Sequence, residues 1–136
     1  KRCDAALVIG DPALFLDYES QGLDKVDLGE EWTAMTSLPF VWAMWVGRAQ
    51  ALEPEHVAAL QAARVSGAEA IDEIVNANCA DDEEQREVGR RYFREHVSFH
   101  LDERALAGLK KFYAYARDLQ LVRTSTELRF FDSSSV

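Results

Sequence analysis

Thr36-Ser-Leu-Pro-Phe-Val-Trp-Ala-Met-Trp-Val46 is the stretch whose reading decides the fold. It runs from two hydroxyl residues through a proline into seven apolar residues, closed by Gly47 and Arg48. Seven apolar residues are too few to span a bilayer. They suit a strand buried on both faces in the middle of a parallel or mixed sheet. Pro39 has a fixed φ and no N–H, so it fits only at the strand's entrance. Thr36 and Ser37 would then stand at one end of the strand, where open α/β sheets bind their ligands.

Working outward toward the N-terminus, residues 5–9 (Ala-Ala-Leu-Val-Ile) form a second apolar run, flanked by Asp4 and by Gly10-Asp11-Pro12. This reads as a buried strand closed by a turn. Asp11-Pro12 also reads as a helix start, with Asp11 as N-cap and Pro12 at the first helical position. A carboxylate just beyond a strand's carboxyl end would border a ligand crevice as well. Residues 15–27, with Gly22, read as a loop, and residues 26–29 as a short extended piece. Glu30 to Met35 reads as one or two helical turns with its acids at the start, where the helix dipole favours them. Trp32 is a packing residue on this reading, since no aromatic or basic cluster surrounds it.

Toward the C-terminus the pattern turns helical. Pro54 opens a long segment reaching about Asn78, with Val57, Leu60, Ile71 and Ile74 as its apolar face and a bend expected at Gly67. The acidic run at residues 80–84 supplies a cap and first-turn acids for a second helix over 82–96. Asp102 caps a third helix, 103–120, with a wide stripe of Leu106, Leu109, Phe112, Tyr113, Ala116 and Leu119. Ser133 to Ser135 read as a disordered tail. Two strands cannot form a stable sheet beneath three helices. The missing strands are expected upstream, in keeping with an N-terminus that opens mid-element as Lys-Arg-Cys-Asp.

The 136 residues carry a net charge of -9, and 48% are hydrophobic. Such a surface disfavours nucleic acid and anionic membranes as partners, while a small anion remains open because backbone N–H groups and hydroxyls can hold carboxylates. Cys3 and Cys79 have neither CxxC nor metal-ligand spacing and read as free thiols. With no secretion signal and no transmembrane run, a cytoplasmic location is expected. No Walker loop, GxSxG, GxGxxG or HExxH occurs. His96 and His100 are four apart, but the cap at Asp102 places a helix end between them, and no metal site is expected. His56 falls in a helical first turn facing solvent. Periodicity by itself leads to an α/β domain with a candidate site at Asp11 and at Thr36 to Phe40.

Three motifs carry the reading further. Asp4-Ala-Ala-Leu-Val-Ile-Gly-Asp-Pro-Ala-Leu14, then Asp27-Leu-Gly-Glu-Glu-Trp32, then Thr36 to Trp45 closely resemble the chorismate dehydratases of the futalosine route to menaquinone. Glu103 to Tyr113 resembles that family's C-terminal helix, so the resemblance spans roughly residues 4–122. Ser37 stands where the family usually has glycine, and Trp42 where it has phenylalanine.

The resemblance implies a type II periplasmic-binding-protein-like α/β fold of two lobes, of which this chain is the C-terminal half. Residues 1–46 would end the second lobe and carry the crossover strand, 47–122 would be the helical return onto the first lobe, and 123–136 the tail. It implies a cofactor-independent hydro-lyase that converts chorismate, a small anion, to 3-[(1-carboxyvinyl)oxy]benzoate and water. Gly10, Asp11, Thr36, Leu38, Pro39 and Phe40 would bind substrate, with the main catalytic candidates upstream and no metal. A sister family making 1,4-dihydroxy-6-naphthoate carries His-Glu at the positions of Gly10-Asp11, its histidine being the proposed base. It also has LPLPLG at the positions of Leu38 to Ala43. A non-catalytic solute-binding protein of the same fold is the third reading.

Overall fold

Neither apolar run pairs as a strand. The computed structural model describes residues 3–79, 82–122 and 128–131, and among these there is no β-ladder. The expected α/β sheet, and with it the periplasmic-binding-protein-like fold, is therefore corrected to a helical architecture. The order is α1 (Asp11–Phe15), α2 (Leu28–Thr36), α3 (Pro54–Glu69), α4 (Ile71–Asn78), α5 (Glu83–Arg91), a π-helical turn (Tyr92–His96) and α6 (Glu103–Asp118). The physical reason is pairing. A strand is stable only when neighbours take its backbone groups, and neither residues 5–9 nor residues 40–46 find a ladder partner. Their side chains stay largely in solvent, with Ile9 75% and Trp45 86% exposed.

The chain divides into two units: residues 1–26 with 70–97, and residues 27–69 with 98–136. In the first unit, α1 starts one residue earlier than a cap at Asp11 requires. Gly10 is the N-cap, at φ 70° and ψ -154°, and no side chain caps the helix. Asp11 is thus the first helical residue, where its charge still favours the dipole, and Pro12 follows it. The expected cap at Asp11 is corrected accordingly. Asp17 organises the next turn, accepting from the Ser20 amide at 3.1 Å, a bond that holds its exposed carboxyl below the usual aspartate value.

Further along the same unit, α4 and α5 pack together. Val75, only 1% exposed, is the best-buried large side chain among the described residues. It lies against Gly89 of α5, whose missing Cβ leaves room for Val75 and for Cys79 Sγ. Asp82 caps α5 as its sequence suggests, accepting from the Glu84 and Gln85 amides. Around the outside, Arg90 reaches Glu83 at 2.9 Å and Glu87 at 3.3 Å, while Arg94 holds both oxygens of Asp72 at 2.9 Å. The cysteines Cys3 and Cys79 are free.

The second unit is built from α2, α3, α6 and the loops between them. Asp27 caps α2 through the Gly29 and Glu30 amides, so residues 27–29 open a helix where a short extended piece was expected. Trp32 is buried as anticipated, meeting Phe40, Phe112 and Tyr115 at centroid distances of 5.5, 6.0 and 6.0 Å in edge-on geometry. Asp102 caps α6, and the anticipated stripe does bury Leu109 and Ala116. Its two ends, Leu106 and Leu119, are covered less well, and Leu119 is 70% exposed. The long helix expected from Pro54 to Asn78 breaks at Ala70, not at Gly67. Ala70 has φ -101° and ψ 25°, leaving α3 and α4 as separate helices. Gly67 stays helical because the space beside it is open and nothing forces a bend there. The tail at 133–135 lies outside the described residues.

Candidate functional site

Of the residues the sequence marks for substrate, Thr36, Leu38, Pro39 and Phe40 come together where α2 ends. The helix stops at Ser37, which adopts the left-handed conformation, φ 58° and ψ 21°. That position favours glycine because an L side chain crowds the following carbonyl. Ser37's amide donates to the Thr33 carbonyl at 2.8 Å, closing the last turn.

Thr36 clasps this corner. Its hydroxyl donates to the Trp32 carbonyl at 2.7 Å and accepts from the Leu38 amide at 3.2 Å. The proton is thereby committed inside the protein, so the hydroxyl can accept from a ligand but not donate to one. Phe40 supplies the apolar wall, packed edge-on between Trp42 at 4.7 Å and Phe112 at 5.2 Å. Trp42 in turn lies over Gly29, close enough that a Cβ there would collide with the indole.

Helix α6 backs the corner at two points. An Arg104 terminal nitrogen donates to the Ser37 carbonyl at 3.0 Å. One turn on, Gly108 packs against the Pro39 carbonyl so closely that a Cβ would strike its oxygen. Sequence reasoning missed both residues. Gly108 could have been found, since a glycine inside an apolar helical stripe usually marks a close approach. Arg104 carries no such signal, because its partner is a backbone carbonyl 67 positions away.

Gly10 and Asp11 belong to the other unit, where both are exposed. Gly10's φ and ψ fall in a region essentially reserved for glycine. His96 ends the π-helical turn and is followed by irregular chain, so it and His100 do not share a helix face. His100 instead meets Arg64, whose terminal nitrogen lies 3.1 and 3.3 Å from the two ring nitrogens. His56 is exposed, and its Nδ1 accepts from the Glu53 amide at 3.1 Å. It borders an open hollow of about 430 Å³ lined otherwise by Ala51, Leu52, Ala59 and Leu60. With no convergent polar groups in that lining, the hollow lacks what orients a small ligand. Among the described residues no cluster of His, Cys, Asp or Glu is arranged to hold a metal, and no helix is long and apolar enough to cross a membrane.

The described residues thus define a helical protein with an aromatic-backed, hydroxyl-clasped turn at residues 36–40. A protein-family model described as menaquinone biosynthesis matches residues 1–118, most of the chain, and the chain belongs to that family. No solved structure matches.

Proposed function

We propose that the protein is the chorismate dehydratase of menaquinone biosynthesis, a cofactor-independent hydro-lyase. The observation that carries this reading is the ordered set of motifs ending in Asp27-Leu-Gly-Glu-Glu-Trp32 and Thr36 to Trp45, in a chain of the menaquinone biosynthesis family. In the reaction, chorismate loses a ring proton and hydroxide, which leave together as water. The product, 3-[(1-carboxyvinyl)oxy]benzoate, is aromatic, and aromatisation drives the step. The protein's task is to hold two carboxylates and to set the proton beside a base, either a protein group or the substrate's own enolpyruvyl carboxylate.

In this chain, residues 36–40 form the binding segment, with Phe40 as the apolar wall and the Thr36 hydroxyl as an acceptor. Gly10 and Asp11 are likewise proposed as substrate contacts. The naphthoate synthase of the same pathway is the second reading, and Gly10 weighs against it. A histidine at φ 70° and ψ -154° would be strained, and glycine has no base to offer.

The test is incubation of the intact protein, including the upstream half that the resemblance implies, with chorismate, followed by chromatography and mass. Loss of one water to the enolpyruvyl-benzoate supports the dehydratase. Unchanged chorismate that still raises the melting temperature points to the solute-binding reading. Asp11→Asn separates the roles of that residue. As an exposed non-capping position, it should change stability by no more than about 0.5 kcal/mol, so a fall in turnover would report contact with substrate.

A further inference from the structure

We propose that Arg104 is the positioning residue of the turn at Ser37, setting the geometry in which residues 36–40 receive substrate. The proposal rests on the reading of that segment as substrate-binding. The peptide group between Ser37 and Leu38 is held at both ends. Its carbonyl accepts from Arg104 at 3.0 Å, and its N–H donates to Thr36 Oγ1 at 3.2 Å. This peptide unit follows a left-handed serine, a conformation that an L residue keeps only when its surroundings hold it.

Four residues along α6 from Arg104, the bare Cα face of Gly108 lies against the Pro39 carbonyl. Contact at two points one helical turn apart fixes both the position and the direction of the segment, where a single contact would leave it free to pivot. The hydrogen bond is charge-assisted, which makes it stronger than a neutral one. Arg104 itself is exposed and is no part of the buried core. Its removal should therefore free the turn without unpacking the Trp32 cluster.

The experiment compares Arg104→Ala and Arg104→Lys in the full chain, reading amide hydrogen exchange at Leu38 against Leu109 of the buried α6 face. Arg104→Ala should speed exchange at Leu38 by about tenfold while Leu109 holds, because local opening is being changed and global unfolding is not. Arg104→Lys should restore much of the protection. With chorismate, Arg104→Ala should raise KM with kcat nearly unchanged, the mark of lost binding. Unchanged exchange at Leu38, or Leu38 and Leu109 rising together, overturns the proposal. So does a freed Leu38 with an unaltered KM, since the turn would then be one that substrate does not use. If the wild-type protein leaves chorismate intact, the dehydratase reading and the kinetic part of this one fall together. The exchange data would still decide whether Arg104 holds the turn.

Discussion

Ser37 and Gly108 show how much of the candidate site depends on single backbone positions. Ser37 occupies a left-handed position at a cost of about 1–2 kcal/mol for an L residue. Glycine there would recover that cost but lose about 0.5–1 kcal/mol through its freer unfolded chain. Ser37→Gly should therefore stabilise the protein by about 0.5–1 kcal/mol, visible as a higher denaturation midpoint with an unchanged slope. Gly108→Ala should act in the opposite direction. The added methyl would strike the Pro39 carbonyl oxygen, a backbone atom that cannot rotate aside. A destabilisation of about 1–3 kcal/mol is expected from such overpacking, together with movement of residues 38–40 detectable as shifted amide resonances. A gain in stability from Gly108→Ala, as its helix propensity alone would suggest, would mean that α6 does not approach Pro39 this closely.

Among the elements, α5 owes its ordering to charge. Asp82 caps it, Glu83 and Glu84 sit in its first turn, and Arg90 and Arg91 in its last, an arrangement that suits the helix dipole at both ends. The Glu83 carboxylate, bonded by Arg90 first and Arg86 next, is held below the usual glutamate value. A carboxyl depressed in the folded state contributes stability above its ordinary titration range and loses it as pH falls through the lowered value. The group is exposed, so solvent and salt weaken the effect. Glu83→Gln should accordingly melt slightly below the wild type at neutral pH and low salt. Melting curves across the acid range should show the two converging as the carboxylate is protonated. A difference that persisted in strong acid would assign the loss to packing. The break between α3 and α4 has a different origin. Sequence marks Gly67 as the weak point, yet the chain breaks three residues later at Ala70, a residue with high helix propensity. Propensity is a weak term, and the break falls where one compact unit gives way to the other.

For the molecule as a whole, the decisive feature is that its two most apolar runs stay unpaired. Among the described residues, 40–46 and 5–9 have no ladder partner, and Leu7, Trp42, Trp45 and Val46 are exposed. Amides of residues 41–46 should exchange with solvent nearly as fast as those of an unfolded chain, while Leu109 and Val75 are slow. Protection across 41–46 comparable to that of α6 would restore a strand and overturn the helical description. An uncharged apolar run with unpaired backbone is also a template for association.

Much of the molecule was legible locally. The caps at Asp82 and Asp102 and Pro54 at the head of α3 follow from side chains acting within a few residues of their own position, and the buried Trp32 and the inward face of α6 from residue type and apolar spacing. The motif set likewise needed only residue order to point to menaquinone biosynthesis, the family to which the chain belongs. What tertiary structure decided were the relations between distant positions. Whether an apolar run becomes a strand depends on a partner for its backbone, and that partner is not written in the run itself. The backing of residues 36–40 by Arg104 and Gly108 is of the same kind. It joins a carbonyl to a side chain 67 residues away, and a backbone carbonyl looks alike at every position until the fold brings a donor to it.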